Sequence, residues 1–117
     1  DQFVERFTPI LDKFQEYVMD NITDNQLNVA DIAKSMGLSR SQLYRKMKSL
    51  LGYSPNEYIR ILRLKYAVKL LKTDNQISDI AYQAGFSSAS YFTKCFKDFY
   101  NESPTEYLRK NGKINTT

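Results

Sequence analysis

The chain is 117 residues long, 42% hydrophobic and 14% aromatic, with a formal net charge of +4, which allows one modest core or two small ones. It has no histidine and a single cysteine, Cys95, with no cysteine partner in the chain, which argues against disulfides and thiolate metal sites and for a reducing, cytoplasmic setting. No apolar run approaches the roughly 20 residues that cross a bilayer, no signal-peptide pattern is present, and a first residue of Asp predicts a fragment or a processed product.

Phe3, Phe7, Ile10, Leu11, Phe14, Tyr17 and Val18 follow helical spacing and predict an amphipathic helix over residues 1–21. Pro9 leaves two options: the helix kinks there, or Thr8 caps a helix with proline first and residues 2–7 form a separate turn. A polar connector, Asn21 to Asn28, leads into a first helix-turn-helix within residues 22–54. Asn28 is a good N-cap with Asp31 as its capping-box partner, ahead of the apolar Val29, Ile32, Ala33 and Met36. Gly37 ends that helix in the left-handed region, Leu38 is a core residue of the turn, and Ser39 caps a second helix from about Arg40 to Leu51. Leu43, Met47 and Leu50 form its buried stripe, which leaves Arg40, Ser41, Gln42, Tyr44, Arg45, Lys46 and Lys48 on the other faces.

Ser54-Pro55-Asn56-Glu57 reads as N-cap, proline at the first helical position and capping-box glutamate. It opens a connector helix within residues 55–72, with Ile59, Leu62, Tyr66, Ala67 and Leu70 on its apolar side. After a loop at Lys72 to Gln76, a second helix-turn-helix fills residues 73–109, with Gly85 in the turn and Phe86 beneath it. Phe92, Phe96 and Phe99 are its buried stripe, and Ser88, Ala89, Ser90, Thr93, Lys94 and Lys97 its outward residues. The box returns as Ser103-Pro104-Thr105-Glu106, and residues 110–117 read as a frayed tail. The expected fold is all-α: seven helices, no strand, two helix-turn-helix subdomains joined by one long helix.

The second unit repeats the first. Asp31/Asp79, Ile32/Ile80, Ala33/Ala81 and Gly37/Gly85 match at an offset of 48, whereas Met47/Phe96, Lys48/Lys97, Ser54/Ser103, Pro55/Pro104, Glu57/Glu106, Tyr58/Tyr107 and Arg60/Arg109 match at 49. One residue is therefore inserted just after Gly85, and the chain carries two copies of one supersecondary unit. Charge follows the same organisation. Residues 1–39 carry −4, residues 40–72 carry +8 and residues 73–117 are neutral, so the positive block covers one second helix and the connector. Such a block is the footprint expected for a polyanion. Catalysis is not expected: histidine is absent, Cys95 has no base beside it, and no carboxylate pair or glycine-rich phosphate loop is present. A helical protein-interaction module is the alternative class, but it does not explain why a basic, groove-sized helix occurs twice.

IAKSMGLSRSQLYRKMKSLLGYSPNEYIRILRLKYAVKLL, followed by ISDIAYQAGFSSASYFTKCFKDFYNESPTEYL, resembles the DNA-binding domain of AraC/XylS-family transcription regulators over roughly residues 10 to 109. Within the first of these stretches, LSRSQLYRKMKSLLGYSPNEYIR further resembles the output domains of hybrid two-component regulators, whose parent chains can be dimeric or membrane-anchored sensors. The resemblance implies a monomeric domain that binds double-stranded DNA through two recognition helices in successive major grooves, with RNA polymerase as a further partner and no cofactor or small-molecule ligand. It also implies base contacts from Ser41, Tyr44 and Arg45 in the first recognition helix and from Ala89, Ser90, Thr93 and Lys94 in the second. A guanidinium fork suits guanine O6 and N7, which supports Arg45, whereas Tyr44 serves equally well with its ring on the helix and its hydroxyl on phosphate. Arg40, Lys48, Tyr91 and Lys97 are the candidates for phosphate.

Overall fold

The computed structural model describes residues 2–73 and 75–111, with side chains from Pro9 onward. Among them are seven helices and no strand: α1 (Gln2–Asp20), α2 (Val29–Ser35), α3 (Arg40–Leu51), α4 (Pro55–Leu71), α5 (Ile77–Gln83), α6 (Ala89–Tyr100) and α7 (Pro104–Asn111). The all-α reading therefore holds. Helix α1 runs through Pro9, which rules out a separate turn at residues 2–7, while the expected core side chains Phe3 and Phe7 lie outside the described residues. Helix α7 extends past Arg109 to include Lys110 and Asn111, so those two residues do not belong to a frayed tail; the rest of the expected tail lies outside the described residues.

The chain forms two compact units, Asp1–Asn21 with Gln26–Leu62, and Ile22–Asn25 with Arg63–Thr117. In the first unit, Phe14, Val18, Ile32, Ala33, Leu43 and Met47 are almost wholly buried. Phe14 lies 5.7 Å, centroid to centroid, from the ring of Tyr58, whose hydroxyl accepts a hydrogen bond from Gln15 Nε2. The second unit has its own cluster of Leu64, Ala67, Leu71, Ile80, Ala81, Ala84, Phe86, Phe92, Cys95 and Phe96. Its aromatics form a chain, Phe86 to Phe92 at 5.2 Å, Phe92 to Phe96 at 5.7 Å and Phe96 to Tyr107 at 5.6 Å, in the tilted and edge-on geometries that ring quadrupoles favour.

Two expected stripes need correction at their ends. Leu50 is only half-buried and Phe99 is 37% exposed: the fully buried residues of α3 and α6 end at Met47 and Phe96, little more than two turns into each helix. The connector Asn21 to Asn28 is not uniformly polar in role, since Ile22 is buried in the second unit. The larger correction concerns α4. Pro55, Tyr58, Ile59, Ile61, Leu64, Ala67 and Leu71 are its buried residues, whereas the expected Leu62, Tyr66 and Leu70 are only half-buried. Its two halves serve different cores with different faces: the face that takes Tyr58 and Ile61 inward continues as exposed Lys65 and Lys69. Likewise, the face of Leu64, Ala67 and Leu71 begins as exposed Asn56 and Arg60.

The repeat is reproduced turn by turn. In the first unit Leu38 N–H donates to the Ala33 carbonyl at 2.9 Å and Gly37 N–H to Lys34 at 3.1 Å, with Gly37 at φ +71°. In the second, Phe86 N–H donates to Ala81 at 2.9 Å and Gly85 N–H to Tyr82 at 3.0 Å, with Gly85 at φ +88°. Both are Schellman stops, which satisfy the last carbonyls of a helix and require a left-handed residue that glycine adopts without strain. The inserted residue falls inside the second turn, where Gly85-Phe86-Ser87-Ser88 answers Gly37-Leu38-Ser39.

Candidate nucleic-acid interface

Helix α3 begins on a complete capping box: Gln42 N–H donates to Ser39 Oγ at 3.1 Å, and Ser39 N–H donates to Gln42 Oε1 at 2.8 Å. Gln42 is therefore committed to the cap rather than free on an outward face. The Ser-x-x-Gln spacing carried that signal. With Leu43 and Met47 turned inward, Ser41, Tyr44, Arg45 and Lys48 fall at i, i+3, i+4 and i+7 on one exposed face, beside exposed Arg40. Lys48 Nζ stands 3.9 Å from a carboxylate oxygen of Glu57, both side chains about half exposed, so the pair is a weak one.

The start of α3 and the start of α4 together line an open depression of about 720 Å³. Arg40, Ser41, Tyr44 and Arg45 come from α3 and Ser54, Pro55 and Asn56 from the next turn, and the two charged residues are both cationic. Ser54 N–H donates to Glu57 Oε1 at 2.9 Å, and Glu57 N–H donates to Ser54 Oγ at 3.2 Å. Pro55 has no amide hydrogen, so the Asn56 N–H is the first-turn donor that this cap leaves over, at the positive end of the helix dipole. The Ser54 backbone donor, then the Ser54 hydroxyl, then the positive charge of Lys48 and Arg60 hold the Glu57 carboxyl below its ordinary range.

Helix α6 repeats this layout with different side chains. Ser88, expected among the outward residues, is instead its N-cap and accepts from Tyr91 N–H at 3.1 Å. The equivalence of Ser39 and Ser88 at the 49-residue offset carried that signal as well. Phe92, Cys95 and Phe96 turn inward; Ser90, Tyr91, Lys94 and Lys97 are exposed; Ala89 and Thr93 are half-buried. Tyr91 keeps 45% of its surface exposed while its ring meets Phe86 edge-on at 6.0 Å. At the following turn Ser103 and Glu106 exchange the same two bonds, at 2.9 and 3.1 Å, and the Glu106 carboxyl is likewise held low, first by the Ser103 amide.

Sequence reasoning placed Arg63 in the positive block without a role of its own. The structure withdraws it from the solvent-facing cations: it is half-buried in the second unit, and its Nη2 donates to the Asp24 carbonyl at 2.9 Å. Burial pushes its guanidinium below the ordinary value, with the nearby Asp24 charge opposing. Among the described residues no group of three or more His, Cys, Asp or Glu could hold a metal ion, and no helix is long and apolar enough to cross a membrane.

Comparison with known proteins places this geometry. Residues 32–110 match the family model described as a helix-turn-helix domain. The chain is 41% identical over 102 residues to Histidine kinase P4 of Formosa agariphila, covering 86% of this chain but 7% of that protein. It is 34% identical over 90 residues to the HTH-type transcriptional regulator MtrA of Neisseria gonorrhoeae, covering 76% of this chain and 30% of the regulator. The chain thus spans only a small part of the curated relatives it matches. Among solved structures, it is similar to an AraC-type regulator from Chromobacterium violaceum, with TM-score 0.79, 36% identity and coverage of 85% of this chain and 88% of that one. The C-terminal domain of the response regulator AraT from Geobacillus stearothermophilus superposes with TM-score 0.79 at 28% identity, covering 89% and 87%. The chain therefore belongs to the AraC-type helix-turn-helix family of DNA-binding domains of transcription regulators.

Proposed function

We propose that this segment is the output domain of a longer regulator and that it reads double-stranded DNA by placing α3 and α6 in successive major grooves. The observation that carries the reading is the duplication of one device: the same glycine stop, the same serine cap and the same Ser-Pro-x-Glu box frame each exposed helix face. Ser41, Tyr44 and Arg45 of α3 and Ala89, Ser90, Thr93 and Lys94 of α6 face base edges. Arg40, Lys48, Tyr91 and Lys97 take phosphates, which fix register without reading sequence. The Asn56 amide at the start of α4 adds a backbone donor of the kind helix N-termini offer to phosphate.

The two faces differ in chemistry. Arg45 supplies a fork for guanine, whereas the small Ala89 and Ser90 and the methyl of Thr93 suit thymine methyls and groove shape, so the second tract is read mainly by contact and deformability. The segment acts as a monomer on one site in the cytoplasm, with RNA polymerase as the partner downstream of binding. The 41% identity to a histidine kinase of which the match covers only 7%, together with the likeness to the AraT C-terminal domain, supports a parent chain of the hybrid two-component kind.

A spacer series tests the bipartite mode. The two contacted tracts are centred roughly 10 base pairs apart, one helical turn. Inserting about five base pairs between them turns the second groove to the far side of the duplex, so affinity falls towards that of a single tract or the DNA deforms at a cost of several kcal/mol. A flat response across the series would overturn two readers acting from one monomer.

A further inference from the structure

The loop Ile22–Asn25 follows α1 in sequence but belongs to the second unit, where Ile22 is 7% exposed. It lies against the turn that precedes α6. A Cβ at Gly85 would collide with the Ile22 carbonyl oxygen and would come within 2.6 Å of Arg63 Nε. The Arg63 guanidinium thus sits between the turn and the loop. Its Nη2 donates to the Asp24 carbonyl at 2.9 Å, while its Nε is buried and makes no hydrogen bond among the described residues. A buried donor left without a partner is costly, so its presence in a native fold calls for an explanation.

We infer that Arg63 is a positioning residue for the second DNA reader: by holding the Ile22–Asn25 loop against Gly85 it fixes the turn from which α6 projects, without touching DNA itself. The inference rests on the reading of α6 as a recognition helix. It makes the loop part of the second reader, although the sequence places it next to α1. It also separates Arg63 from the phosphate contacts of the positive block, because a residue that acts through the loop releases no counterion on binding.

Arg63→Met tests the proposal, since the thioether stem fills the same space and removes the unpartnered Nε along with the loop hydrogen bond. Two measurements are made on the described segment: amide hydrogen exchange of the free protein, and a footprint with its salt dependence on the selected DNA site. The expected result is faster exchange confined to the loop at 22–26 and the turn at 85–88, with far-UV circular dichroism unchanged. Protection of the second tract is lost, that of the first tract is kept, affinity falls by about tenfold or more, towards that of a single tract, and the salt slope of the first tract is unchanged. Unchanged exchange at loop and turn overturns the proposal whatever DNA does. A salt slope flattened by about one unit with both tracts still protected also overturns it, because Arg63 is then a phosphate contact. If wild type itself leaves the second tract unprotected, the two-reader function fails rather than the Arg63 latch, which the exchange measurement still decides.

Discussion

Arg45 and Lys97 illustrate two kinds of contact that substitution can separate. Arg45 stands on the exposed face of α3 at the wall of a depression whose charged residues are both cationic, a setting suited to a bidentate fork on guanine. Arg45→Ala is expected to cost about 1 to 3 kcal/mol on the preferred site and to relax base preference there, with little change on random duplex. Lys97→Ala, and Lys48→Ala on the first reader, should instead weaken both kinds of DNA about equally and flatten the salt dependence by roughly one counterion each. Competition binding against random duplex at several salt concentrations checks both, and an equal loss on both DNAs for Arg45→Ala would reassign it as a phosphate clamp. The outward residues were legible because helical period and two inward stripes fix what is left over. Ser88 was misplaced, and the capping role of the exposed Gln42 was missed, because a hydroxyl or amide next to a helix start has a second use, bonding the backbone, that period alone does not register.

Helix boundaries were the most legible part of the sequence. The caps Asn28, Ser39, Ser54 and Ser103 and the stops Gly37 and Gly85 act through local bonds that depend on a few neighbouring residues, and each forms as expected. Helix α4 was the least legible, because a helix buried on one face in its first half and on another in its second presents no single apolar stripe. The two Ser-Pro-x-Glu boxes make a testable electrostatic element. Glu57 and Glu106 are held below their ordinary 4.5 by the amides of Ser54 and Ser103, so their contribution is full above that value and is lost as pH falls through the depressed one. Thermal melts of wild type and of the Glu57→Gln, Glu106→Gln double variant should therefore converge in acid. The wild type is expected to lose more melting temperature between pH 7 and pH 3, since the neutral amides have no charge to lose. Parallel curves would mean that the carboxylates do not support the caps.

At the scale of the whole molecule, the chain is two small units built to one plan, and membership of the AraC-type family agrees with that plan. The repeat and the +8 block of residues 40–72 pointed to a duplicated helix-turn-helix that meets a polyanion, and the family resemblance supplied the class of function. What they did not reveal was where one loop belongs. The loop Ile22–Asn25 belongs to the second unit although it follows α1 directly, because its role depends on contacts with Arg63 and Gly85, tens of residues away. A sequence period does not encode such contacts. The central claim, that the two exposed helices α3 and α6 read one composite site, is tested most directly by selecting bound sequences from random duplex DNA with this segment alone. The account predicts a motif of two tracts centred roughly 10 base pairs apart, with guanine at a fixed place in the tract that loses its preference in Arg45→Ala and a thymine-rich, shape-dependent second tract. A single contiguous tract, or no enrichment over the input pool, would contradict it.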